Sequence, residues 1–156
     1  MRKRIVRNVS VAEPGRLDLD ALASVEVSSE QADHPVDHAF DPRGGPGGRR
    51  WIAAEGGEQV LTLIFDAPQT VRELTLEIEE TERERTQELL VRISRDSGRT
   101  FQEIVRQEYT FSPTGSTWER ERWALPTDPI THLQLRFKPD KGSGDSRASL
   151  TSLVLR

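Results

Sequence analysis

The chain has 156 residues, enough for one domain with its own core, and no cysteine, which excludes disulfides and thiolate metal sites. Its 22 cations face 26 anions for a net charge of -4, a balance that disfavours a general nucleic-acid binder, whose affinity rests on neutralising phosphates. No run approaches the roughly 18 apolar residues of a membrane helix, and the basic start is followed by no continuous apolar segment, so the chain reads as unsecreted and is expected in the cytoplasm.

Residues 4–11 set Ile5, Arg7, Val9 and Val11 against Val6, Asn8 and Ser10, the pattern of a first strand. Pro14 and Gly15 break it. Residues 18–22 suit one helical turn with Asp18 near its start, and 23–29 return to strand through Val25 and Val27. A short stretch from Val36 to Asp41 then enters a loop with four glycines and two prolines, which ends at Arg49, Arg50 and Trp51. Proline stiffens such a path and glycine opens backbone angles closed to other residues, so a defined turn system is expected. In the strand 59–65 that follows, Leu61, Leu63 and Phe65 share one face and Val60 and Ile64 the other, which suits coverage on both sides.

Residues 71–80 alternate Leu74, Leu76 and Ile78 with Thr75, Glu77 and Glu79, a strand by period. A long charged helix running on through 88 is the competing reading, because Glu and Arg are good helix formers. With the strand preferred, 80–88 becomes a charged hairpin or crossover loop before Leu89, Val91 and Ile93 resume the alternation. Ser94 to Phe101 reads Ser-x-Asp-x-Gly-x-Thr-Phe, the Asp-box hairpin pattern, in which Asp96 folds back onto turn amides, Gly98 permits a positive φ and Phe101 tucks its ring beneath. Sialidases carry the motif too, but their propeller needs several copies and more than twice this length. Strands are expected from 101 to 111 and from 118 to 125, the second with Glu119, Glu121, Trp123 and Leu125 on one face and Trp118, Arg120 and Arg122 on the other. Residues 131–138 put Leu133, Leu135 and Phe137 inward, a polar loop follows, and 148–155 closes the chain as one last strand. The sum is an all-β chain of about nine or ten mostly antiparallel strands, a jelly-roll β-sandwich forming a single domain over 1–156.

Ala39, Phe40 and Asp41, the glycine-rich loop, Trp51 and the strand ending in Phe65 and Asp66 resemble the discoidin-like, or coagulation factor 5/8 type C, branch of galactose-binding-like domains. That resemblance implies a non-catalytic module whose ligand meets loops at one end of the sandwich, with carbohydrate as the leading ligand class. It also implies a core role for Trp51 and a stacking role for an exposed loop aromatic, here Trp118, with His38, Arg43, Arg49 and Arg50 as polar company. A strand-edge ring covering arginines is the competing reading of Trp118. Carbohydrate-binding members often hold a structural calcium, for which the Asp41 carboxylate and the Ala39 carbonyl would serve. The C-terminal run has Ser or Leu where the acidic ligand is expected, so no cofactor is assigned and Asp41 is read first as a turn cap.

His34 and His38 have the spacing of a helical zinc pair, but Pro35 argues against a helix there, and no serine elbow or cysteine accompanies any histidine. The chain is therefore read as no enzyme. Two functions remain open, a carbohydrate-binding module and an intracellular protein-interaction scaffold of the same fold, and an accessory domain of an enzyme stands third. A sugar module should show a loop-end cleft. A scaffold should show a broad exposed apolar patch.

Overall fold

The computed structural model describes residues 1–3, 15–41 and 47–156; the strand expected over 4–11, and Arg43, lie outside the described residues. Ten strands run in order as β1 (Ala23–Val27), β2 (Trp51–Ile52), β3 (Gln59–Gln69), β4 (Glu73–Glu79), β5 (Arg85–Ser94), β6 (Gln102–Phe111), β7 (Trp118–Ala124), β8 (Ile130–Lys138), β9 (Ser149–Leu150) and β10 (Ser152–Leu155). A four-residue helix, α1 (Leu19–Leu22), leads into β1, and a 3-10 helix spans Val36–Phe40. The strands form a five-stranded sheet β1-β3-β8-β5-β6, a three-stranded sheet β10-β4-β7 and the small pair β2-β9. Every pairing is antiparallel.

The alternation read from the sequence is what closes the two larger sheets on each other. Register aligns Leu61 with Leu135 and Leu63 with Leu133, and on the other side of β8 it aligns Leu89 with Phe137 and Val91 with Leu135. All of these are buried, as are Leu74, Leu76 and Ile78 of β4 and Leu153 and Leu155 of β10. Each fully buried side chain of this kind contributes about 1.5–3 kcal/mol. Trp51 has no exposed surface; its ring lies 5.4 Å from that of Phe137 and its indole N–H donates to the Ser29 carbonyl at 2.9 Å. It thereby ties the entrance of the long β1–β2 connection to the core.

Four sequence expectations change in detail. The closing strand is two: Thr151 turns its amide to the Glu77 carbonyl at 2.9 Å, separating β9, which pairs with β2, from β10, which pairs with β4. The charged loop is only 80–84, because Arg85 and Gln87 are buried and belong to β5. β3 continues past Phe65 to Gln69, with a register shift between Ile64 and Gln69. The segment around His38 is helical after all, as a single 3-10 stretch: Pro35 stands at its N-cap, where a missing N–H costs nothing, and the Glu30 carboxylate accepts the Val36 amide at 2.7 Å.

Register also decides which loops meet. Val27 opposes Leu61, Gln59 opposes Phe137, Arg85 opposes Phe111 and Glu79 opposes Trp118, so the segments 28–41, 47–50, 53–58, 80–84, 112–117 and 139–148 gather at one end. The 95–101 turn and the 125–129 connection occupy the opposite end, where Ser94 opposes His132. At that turn the Asp96 carboxylate accepts from the Thr100 amide at 2.9 Å and the Thr100 hydroxyl at 2.6 Å, and these bonds pull its pKa down to about 2.

Candidate functional site

Among the gathered loops lies a cleft of about 320 Å³. One wall is the segment 79–83, the other is Asp145, Arg147 and Ser149, and Gln31, Arg50 and Ile52 complete the lining. The walls are charged. Four carboxylates (Glu79, Glu80, Glu82, Asp145) face three guanidinium groups (Arg50, Arg83, Arg147), and Ile52 is the one large apolar side chain among the described lining residues. Such a surface recognises a ligand through charge-assisted hydrogen bonds to hydroxyls or charged groups, with little area for stacking.

The cleft is held by its own backbone contacts. Arg50 donates to the Glu79 carbonyl at 3.3 Å and pairs with its carboxylate at 3.8 Å, while the other Glu79 oxygen accepts the Gly47 amide at 2.8 Å. Glu80 gives its amide to the Thr117 carbonyl at 2.9 Å and accepts from Arg85 at 2.8 Å. On the far wall Arg147 donates to the Ala54 carbonyl at 2.8 Å, and Gly57 donates to the Ser146 carbonyl at 3.0 Å. Here the glycine at 56 is required, since a Cβ on Gly56 would stand 2.7 Å from the Gly144 carbonyl oxygen.

Of the residues singled out from the sequence, Arg50 lines the cleft. His38 and Arg49 form a cluster beside it: Arg49 donates to His38 Nε2 at 2.6 Å and to Asp41 at 3.3 Å, and His38 Nδ1 lies 3.3 Å from the Arg50 carbonyl, which it serves as donor. Trp118 is the register partner of Glu79 and is half-buried, one position from the cleft wall and apart from the core cluster that Trp123 and Tyr109 join. Its strand is fixed from behind by the Tyr109 hydroxyl, which donates to the Trp118 carbonyl at 2.9 Å. Glu79, Glu80, Arg83, Asp145 and Arg147 were not singled out. Glu79 was read as a strand position, and the only sequence signal of the others was membership of polar loops.

A calcium ion is a poor fit to the described donors. Asp41 is engaged by Arg49, Ala39 is fully buried within the 3-10 helix, and among the described residues no three acidic or histidine side chains converge as a metal cluster. A hard cation of that size takes six to eight oxygens. His34 and His38 meet edge to face, with ring centroids 6.5 Å apart.

Beneath the loop end lies a buried polar layer. Arg85, Gln87 and Glu119 are 2%, 1% and 1% exposed, and among the described residues neither oxygen of Glu119 has a hydrogen-bond partner. Burial pushes the Glu119 carboxyl up to about 7, Glu121 adds to the rise, and Arg85 opposes it.

No protein-family profile matches the chain, and no curated protein matches it. Solved structures do. A family 32 carbohydrate-binding module of a family 31 glycoside hydrolase from Clostridium perfringens superposes with a TM-score of 0.64 at 16% identity, covering 90% of this chain and 93% of that one. Chitosan-binding module 1 of a chitosanase/glucanase from Paenibacillus sp. IK-5 gives 0.60 at 20% identity, covering 86% and 94%. A family 32 module of NanJ from C. perfringens, in complex with galactose, gives 0.59 at 12% identity, covering 90% and 96%. The architecture of this chain is thus the galactose-binding-like jelly-roll β-sandwich of these modules. The likeness also extends to a part of a Ruminococcus gnavus fucosidase, where it covers 24% of that chain at a TM-score of 0.65 and 10% identity.

Proposed function

We propose that the protein is a non-catalytic carbohydrate-binding module that takes its ligand at the loop end. The observation that carries this reading is the charged cleft of about 320 Å³, built from loops that a rigid sandwich brings to one end. Rigid support lowers the ordering cost of binding. Solved structures similar to this chain at similar length include carbohydrate-binding modules, among them ones described as in complex with galactose and with GalNAc-β-1,3-galactose. In this reading Arg50 with Glu79 supplies a donor and acceptor pair for adjacent hydroxyls. Trp118, His38 and Arg49 form the rim.

The cleft is read as binding rather than cleaving because its two innermost carboxylates serve as acceptors, Glu79 to Gly47 and Arg50, Glu80 to Arg85 and the Glu82 amide. His132 lies at the opposite end, against Gly98 and Phe101. A protein scaffold is the less favoured reading, since Met1 is the one exposed large hydrophobic among the described residues.

A glycan array probed with the wild type and with Trp118→Ala, each with calcium and with chelator, tests the reading. Selective binding by the wild type is expected, lowered at least about tenfold in Trp118→Ala, a change of about 1.4 kcal/mol, with its thermal transition kept. Asp41 is paired with Arg49, so the chelator is expected to change nothing. Loss of binding on chelation would restore calcium to the site, and a blank array would turn the search to a protein partner.

A further inference from the structure

We propose that Arg85 is the positioning residue of the loop-end cleft, a buried guanidinium that joins the two walls and sets their separation. This rests on the cleft reading above. Arg85 opens β5, directly after the loop that forms one wall, and is 2% exposed. Its Nε donates to Glu80 Oε1 at 2.8 Å. From the other side of the fork, Nη1 donates to the Pro139 carbonyl at 2.8 Å and to Gln87 Oε1 at 3.2 Å. The guanidinium carbon sits 4.6 Å from the centroid of Phe111, its register partner on β6.

Two of these contacts, to Glu80 and to Pro139, lead to different walls. Glu80 is the hinge of the first: its second oxygen accepts the Glu82 amide at 3.2 Å, and its own amide is pinned to Thr117. Pro139 starts the 139–148 connection, which carries Asp145 and Arg147 of the second wall and is tied again at once by Lys141, whose amide donates to the Thr86 carbonyl at 2.9 Å. One planar cation thus meets a carboxylate on one loop and a carbonyl on the other. A planar fork does this with donors on two separate nitrogens, Nε and Nη1, held a fixed distance apart. The ammonium of lysine has three donors, but all on one nitrogen, which cannot occupy both of those places at once. Filling the interior here would ask only for an apolar side chain. The choice of a buried cation with one acceptor from each wall is the mark of a spacer.

Amide hydrogen exchange on the whole chain tests this without any sugar, so its failure and a blank glycan array are separate results. The probes are the amides of Glu82 on one wall and Lys141 on the other, with Val91 and Leu135 of the central strands as controls. Arg85→Met is expected to speed exchange at both walls at least tenfold and to leave both controls unchanged. Glu80→Gln should loosen Glu82 alone. Arg85→Lys should rescue Glu82 and leave Lys141 fast. Rescue of both walls by lysine would overturn the proposal, as would a rise spread evenly over walls and controls. Should Arg85→Met fail to fold, Glu80→Gln and Arg85→Lys decide the matter alone, because one-sided loosening is the result that mere packing would not give.

Discussion

Glu119 carries a carboxyl in a place that favours its neutral form. It is 1% exposed, the charges that act on it are Arg85 of β5 and Glu121, and Glu121 lies two residues along its own strand, where it accepts from Gln107 at 2.6 Å. With its pKa raised from 4.5 to about 7 in the folded chain, Glu119 holds a proton that the unfolded chain releases. That advantage is complete below pH 4.5 and is lost as pH rises through about 7. Glu119→Gln keeps the neutral shape at every pH. It is therefore expected to match the wild type near pH 4 and to exceed it above pH 7 by on the order of 3 kcal/mol, given 1.36 kcal/mol per unit. Thermal melts across that range check it, and parallel curves for the two proteins would contradict it. Alternation along β7 placed Glu119 on one face with Trp123 and Leu125 without saying which face is inward. How it is accommodated was not legible, because Arg85 stands on another strand and its own anchor, Pro139, is 54 residues away from it.

At the scale of the element, what local chemistry dictates was readable and what long-range closure dictates was not. β4 and β8 declare themselves by strict alternation, while the core role of Trp51 came from the resemblance. The turn after β5 is local as well: Ser97 and Gly98 take φ of 63° and 83°, and Asp96 folds onto Thr100. The 80–84 loop was overextended because Arg85 is charged, and only the structure supplies the acceptors that let it lie inside. β9 and β10 ran together in the sequence because Thr151 is as strand-compatible as its neighbours; the break comes from Glu77 of another strand. A prediction belongs here. Gly98→Ala would place a Cβ 3.2 Å from His132 Nε2 in a left-handed conformation, so it should destabilise the fold by roughly 1–2 kcal/mol. The glycan profile should be unaltered, since this turn lies at the end away from the cleft. A changed profile with an unchanged melt would contradict the division of the sandwich into a binding end and a structural end.

The whole molecule shows why fold was more legible than site. A sandwich is specified by many alternating positions, each repeating the same information, so the jelly roll survives errors at individual residues. The cleft is specified by a few charged residues in polar loops, a composition shared with any solvated surface. Of the site residues inferred from the resemblance, Arg50 lines the cleft while His38 and Arg49 stand beside it; the carboxylates that make the walls came only with the register that brings 79–83 to 145–149. On the outer face of the small sheet Arg120 pairs with Glu77 at 3.0 Å and Arg122 with Glu73 at 2.8 Å, a neutralised ladder across β7 and β4. The central claim is that a sugar binds between those two walls. Backbone NMR shifts recorded while titrating a glycan selected on the array test it most directly. The account predicts perturbations at Gln31, Arg50, Glu79 to Arg83 and Asp145 to Ser149. Perturbations centred instead on Arg106 and Arg136 of the large sheet's outer face, or around Asp96, would contradict it.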